Sequence, residues 1–410
     1  MSQETTHIPK LRFPEFEGEW IISTIGEDCK FSSGGTPSKE NSSFWNGDIP
    51  WISAVSMHKD KIDDSELKVT ELGSKNGARI APKGSILILV RGSMLYNRIP
   101  AGICQKDVTF NQDVKCLQVS NRSSSDFFLH SLRSSENRLL SIVTGTGIGA
   151  GKIDSAELKA FPFLIPSISE QQKIASFLTA VDQKIEFLQR KKDQLTAYKK
   201  GMMQKLFSQE IRFKDDDGKG FPEWEEKQLG EIATKINSKN TDNSVSRVLT
   251  NSAINGVIDQ SDYFDHDVAN SENLGGYYVI GKGDFVYNPR VSVTAPVGPI
   301  KRNNLGKGVM SPLYTIFRLM SENSDFLNCF FSSSLWHKYM KQVANYGARY
   351  DRMAISSNDF LKLPIPIPHP DEQQKIADYL TALDQKIELT DKKLTQAQTF
   401  KKGLLQQMFI

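Results

Sequence analysis

The sequence is poor in what a self-sufficient catalyst carries. Four cysteines occur in 410 residues: Cys29, Cys104, Cys116 and Cys329. None forms a CxxC pair or a Cys/His cluster at zinc-ligand spacing, which argues against structural zinc. Reduced, buried thiols are the expectation. His58 and His337 stand alone, with no ligand spacing around them. Long apolar runs are missing too. No stretch approaches the roughly 20 residues that a membrane-spanning helix needs. The opening MSQETTHIPKLRF lacks the apolar core of a secretory signal, so a cytoplasmic location is expected. A strong charge of one sign is also absent. Lys and Arg total 51 against 48 Asp and Glu, a net charge of +3, so nucleic-acid binding is permitted rather than demanded.

Nucleotide motifs fail on context. GTGIGA (Gly145–Ala150) fits a loose dinucleotide pattern, but no amphipathic helix is predicted after it, and a loop is expected. Gly151–Lys152 is followed by Ile153, so there is no Walker A motif. YNPR (Tyr287–Arg290) lacks the second proline and the aromatic residue of amino-methyltransferase motifs. Asp63–Asp64 and Asp215–Asp217 read as solvated loop residues.

What is present is a repeat. SEQQKIASFLTAVDQKIE (Ser169–Glu186) returns as DEQQKIADYLTALDQKIE (Asp371–Glu388), and Ile165–Phe207 aligns without a gap on Ile367–Phe409. EWIISTIGE (Glu19–Glu27) pairs with EWEEKQLGE (Glu223–Glu231), and LRF (Leu11–Phe13) with IRF (Ile211–Phe213). The period far exceeds that of solenoid repeats. It is a duplicated domain plus helix. The predicted organisation is a first domain with an N-terminal arm over 1–165, a helix over 166–208, a second domain over 209–366 and a helix over 367–410.

Ser169 with Gln172, and Asp371 with Gln374, fit capping boxes. Apolar residues then recur in heptads. Ile174, Leu178, Val181, Ile185 and Leu188 form one seam, continuing to Met202. Ile376, Leu380, Leu383, Ile387 and Leu394 form the other. Lys192, Lys199 and Lys401 interrupt these rows and are predicted to weaken them. Each narrow stripe needs a partner, and antiparallel pairing of the two helices is expected, with a parallel homodimer as the alternative. The fold class is α+β: two pseudo-symmetric mixed α/β domains joined by two long antiparallel coiled-coil helices.

The two blocks keep their order of elements but change their loops. VRGSMLYNRI stands where YNPRVSVTAP stands, and TGTGIGAGKID where YGARYDRMAIS stands. These loops supply residue types that reach phosphates and base edges. The candidate DNA contacts are Arg91, Ser93, Asn97, Arg98 and Lys152 in the first block. In the second they are Asn288, Arg290, Lys301, Arg302, Tyr346, Arg349, Tyr350 and Arg352. No catalytic residue and no metal ligand is assigned.

Two unlike blocks, each leading into an IPxxxEQQKI helix start (Ile165–Ile174 and Ile367–Ile376) that continues as LTAxDQKIE, resemble the specificity subunit of Type I restriction–modification systems. The IPWIS run (Ile49–Ser53) after a GGTPS loop (Gly34–Ser38) is similar to such blocks as well. The resemblance implies two target recognition domains, each reading half of a bipartite site in double-stranded DNA. It implies paired helices that set the gap and bind two modification subunits, which two restriction subunits can join. It further implies a non-catalytic chain, with S-adenosylmethionine, ATP and Mg held by those partners. A structural adaptor that binds peptides, and a stand-alone nuclease or methyltransferase, are the competing readings.

Overall fold

In the computed structural model, residues 7–147, 149–262, 274–345 and 351–410 are described. The chain divides into two compact units. One holds 1–190 with 391–410, and the other holds 191–390. The division falls inside both long helices, Ile168–Phe207 and Pro370–Met408. Each unit therefore contains one domain, the start of one helix or the other, and the end of its counterpart.

The first domain is built on a five-stranded sheet. Its order is Cys29–Ser33, Val114–Val119, Ile86–Leu89, Ala101–Cys104 and Lys61–Ile62. Ile86–Leu89 is apolar at every position and buried on both faces, as a central strand should be. The second domain repeats the frame: Ala233–Lys235, Thr315–Leu319, Phe285–Tyr287 and Ile300–Arg302, in the same order. Phe285, Phe317, Phe326, Phe330 and Phe360 fill its core. All four cysteines are buried. Burial pushes the Cys29 and Cys104 thiols up to about 12 and Cys329 to about 11, which leaves them unreactive.

The repeated EQQ triplet ties each helix to its domain. Glu170 is buried and accepts two bonds from Arg12, at 2.8 Å each, and one from the Trp20 indole at 3.2 Å. Glu372 does the same with Arg212, at 3.1 and 2.7 Å, and with Trp224 at 3.0 Å. Gln171 accepts from Ser124 N and donates to the carbonyls of Arg122 and Pro166. Gln373 accepts from Asn323 N and donates to Pro368 O and Glu322. Each amide so joins the helix start to the turn before the domain's own helix, Ser125–Ser134 or Ser324–Phe331. Buried polar groups demand such partners, and a short polar motif supplies them.

The helix starts differ from the predicted capping boxes. The first helix begins at Ile168, and Ser167 Oγ accepts from Glu170 N at 3.4 Å. The second begins at Pro370, a residue suited to the first helical position because no N–H is lost there. His369 Nδ1 accepts from Asp371 N at 3.4 Å. Ser169 and Asp371 are thus inside the helices, because Ser167 and His369 already serve the free N–H groups.

Within each unit the helix ends run antiparallel. In the first, Ile174, Ala175 and Leu178 pack with Leu404, Met408 and Phe409, around Trp20 and Phe127. In the second, Ile376, Ala377, Leu380 and Leu383 share a core with Met203, Leu206 and Phe207. Leu188 and Leu394 are buried, while Val181, Ile185 and Ile387 are half-buried. Met203, not the predicted Met202, is the buried residue. A straight helix drifts about 20° per heptad, so by the fifth heptad the stripe has moved nearly one residue. Lys401 and Lys199, read as interruptions, make the register. Lys401 Nζ lies 2.5 Å from Asp182, and Lys199 Nζ 2.5 Å from Asp384.

His130 is buried and shares a cavity of 280 Å³ with Asp182. Burial, helped by Lys401 and Arg133 and opposed by Asp60 and Asp126, pushes its imidazole down to about 4. An unfolded histidine titrates near 6.5. Between these values the unfolded chain binds the proton and the folded one does not, so stability rises with pH. The first unit should therefore lose on the order of 3 kcal/mol as pH falls from about 6.5 towards 4. Urea unfolding at several pH values checks this. His130→Leu should flatten the dependence, and an unchanged slope would contradict it.

Candidate nucleic-acid interface

Arg91 begins a two-residue strand, Arg91–Gly92, that pairs with Gly151–Lys152. The register sets Arg91 opposite Lys152. In the second unit an isolated bridge sets Arg290 opposite Arg352. The surrounding hydrogen bonds match: Ile153 N donates to Val90 O, and Met353 N to Pro289 O. The loops share little sequence, yet both present two cations side by side at the same place in the frame.

Arg91 and Arg290 are exposed, and neither guanidinium makes an ion pair or hydrogen bond among the described residues. Lys152 and Arg352 are half-buried, 3.8 Å from Asp154 and 3.7 Å from Asp351. Ser93 and Asn97 are exposed on the turn after Gly92, which takes φ +152°. Lys115 joins the first cluster, and its sequence context hid it. Its ammonium donates to Ser33 Oγ at 2.5 Å and has no carboxylate partner among the described residues. Burial, then Lys159 and Arg91, push its pKa down. Lys115, Lys159 and Arg91 repel one another, and a polyanion relieves the repulsion. The signal in the sequence is a lone lysine within the strand VKCLQV (Val114–Val119), which a reading of loops passes over.

Four of the candidates are buried, half-buried or engaged within their domain. Asn288 is buried, and its Nδ2 donates to Asn251 O at 2.9 Å. Arg302 pairs with Asp325 at 2.7 Å and donates to Ser324 and Asn304. Both belong to the scaffold, because their polar atoms are already bonded inside the domain. Arg98 is half-buried and donates to Met57 O at 3.3 Å, so its fork is partly engaged. Lys301 is half-buried, and burial followed by Lys199 pushes its pKa down. Tyr346, Arg349 and Tyr350 lie outside the described residues. Gly145, the first residue of GTGIGA, pairs with Gly151 in the Thr144–Gly145 and Gly151–Lys152 ladder. A helix does follow it, contrary to expectation, but Ser155–Ala160 has only six residues and its N-cap site is occupied by Asp154.

The family model described as the Type I restriction modification DNA specificity domain matches residues 17–197 and again 222–399. The chain belongs to this family. Each match covers one domain together with most of its long helix, so the Type I specificity domain occurs here twice. Chains of this family are non-catalytic subunits, and this one is too. The EcoR124I/EcoR124II specificity subunit of Escherichia coli is 36% identical over 174 residues, spanning 42% of this chain and 43% of that protein. The MjaVIII specificity subunit of Methanocaldococcus jannaschii is 27% identical over 96% of this chain and 92% of its own length. The fold matches the crystal structure of the Type-I restriction-modification S subunit from M. genitalium, with a TM-score of 0.60, 17% identity and coverage of 98% and 99%. A chain from a study of complex assembly and conformational transition in the type I R-M system matches with a TM-score of 0.53, 16% identity and coverage of 94% and 96%. Among the described residues, no helix is long and apolar enough to cross a membrane.

Proposed function

We propose that this Type I specificity chain reads a bipartite site in double-stranded DNA, one half with each domain. The observation that carries the reading is the cation pair repeated on one frame, Arg91 with Lys152 and Arg290 with Arg352. The frame orients the reader, and the dissimilar loops make the halves of the site dissimilar. Residues 1–165 and 209–366 are the recognition domains, and 166–208 and 367–410 the spacer between them. Exposed Arg91, Ser93, Asn97 and Arg290 reach base edges, while Lys115, Lys152 and Arg352 hold phosphates. Tyr346, Arg349 and Tyr350 are further candidate DNA contacts of the second domain.

The exposed faces of the long helices take two modification subunits, and two restriction subunits complete the nuclease. The methyl donor, ATP and Mg belong to those partners. The complex works in the cytoplasm. The test is a mobility shift of the chain with its modification partner on a library of duplexes. Sequence-selective retention is expected. Retention that ignores sequence at every salt concentration would refute the reading, since phosphate contacts alone give that result.

A further inference from the structure

The second domain holds a pocket of 400 Å³ beside Arg290. One wall is the hairpin of Leu249–Ser252 and Gly256–Asp259, and the other is the segment from Asn288 to Pro299. Its floor is polar. Asn251 is almost wholly buried there, and its Nδ2 donates to the carbonyls of Val286 and Pro299. Its Oδ1 accepts no hydrogen bond among the described residues. A buried carbonyl without a donor is costly and calls for an explanation.

Two exposed apolar side chains lie at or next to the lining, which is the second observation. Ile254, which lines the pocket, is 78% exposed, and Val293, between lining residues Ser292 and Thr294, is 102% exposed. No other large hydrophobic described in the chain is as exposed as these two. Both tips are held rigidly. Ser292 and Ala295 exchange backbone hydrogen bonds around Val293. Ser252 Oγ accepts from Ile254 N and Asn255 N, and Gly256 closes the hairpin with φ +72°. Two turns thus hold β-branched side chains in solvent at or next to the lining that Arg290 shares.

We infer that this pocket reads a thymine-containing base pair in the major groove, with Ile254 and Val293 taking the 5-methyl group and Arg290 and Asn255 the neighbouring polar edge. The thymine methyl is the apolar feature of the major groove, and apolar side chains are its partners. This specificity site rests on the DNA-reading function proposed above.

The test is a scan of the selected duplex, in which each thymine is replaced in turn by deoxyuridine, removing only the methyl. The full chain with its modification partner is titrated by fluorescence anisotropy. One position, in one half-site, should lose affinity about four-fold, the contribution expected of one methyl. The loss should vanish in the Ile254→Ala, Val293→Ala double variant and persist in Ile254→Val. Melting temperatures should not change, because both tips are exposed. Selective binding that tolerates deoxyuridine everywhere, or a penalty that survives in the double variant, overturns the pocket and leaves the DNA-reading function standing. Equal weakening of the double variant on all duplexes also overturns it, since that marks wedges between base steps. No selective binding at all removes the function and the pocket together.

Discussion

Glu372→Ala should destabilise the second unit by about 3–5 kcal/mol, the effect of removing one partner from a buried ion pair. The carboxylate is fully buried and accepts from Arg212 twice and from Trp224 once. Its removal strands a guanidinium whose side chain is only 20% exposed and an indole N–H beside it. The pair holds the Arg212 pKa above its ordinary value, mainly through the hydrogen bond to Glu372. Three parts of the unit meet at this point: the lead-in segment, the helix start and the domain. Glu170→Ala should do the same to the first unit, where Arg12 and Trp20 depend on it. Glu372→Gln should fall between, since an amide oxygen still serves Trp224 while the charge is lost. Denaturant unfolding followed by tryptophan fluorescence measures all three. A loss below about 1 kcal/mol for Glu372→Ala, typical of an exposed pair, would contradict the role given to the triplet.

The second large effect is on DNA. Arg290→Ala should weaken binding of the selected duplex by about 10- to 100-fold, the discrimination carried by a good bidentate contact to guanine. It should also relax preference at one position in one half-site only. Arg91→Ala should relax the other half-site. Neither guanidinium makes a hydrogen bond or ion pair among the described residues, so stability should be unaffected. Lys115→Met should act differently. It should weaken all duplexes alike and lower the salt dependence, as loss of a phosphate contact does. Arg302→Ala, by contrast, should mainly reduce stability, because Asp325, Ser324 and Asn304 already hold that guanidinium. Parallel titrations at fixed salt separate these outcomes. An Arg290→Ala variant with unchanged affinity and unchanged preference would remove Arg290 from the interface.

The duplicated frame was legible in the sequence, because repetition needs no knowledge of contacts. The heptad stripes gave the antiparallel partners as well, since Ile174, Leu178, Ile376 and Leu380 are apolar at helical spacing. The role of EQQ was not legible. Glu170 and Arg12 stand 158 residues apart, and only the folded chain shows that the polar face of the helix start is buried. Lys199 and Lys401 misled for the same reason, since a lysine in a seam looks like a defect until its aspartate is found across the helix pair. Among the loop candidates, residue type alone could not separate Arg290 from Arg302. Both are arginines near strand ends, and what distinguishes them is whether a carboxylate lies within reach. Ile254 and Val293 carry no signal of exposure in the sequence, because β-branched residues usually mark a strand interior.

The central claim is that one chain reads two unlike half-sites. Sequencing the methylated bases of host DNA carrying this gene beside its modification partner tests it directly. The expected result is a single new adenine motif with two different halves separated by a gap of constant length and free sequence. A contiguous motif, two identical halves, or no sequence-specific methylation would contradict the claim.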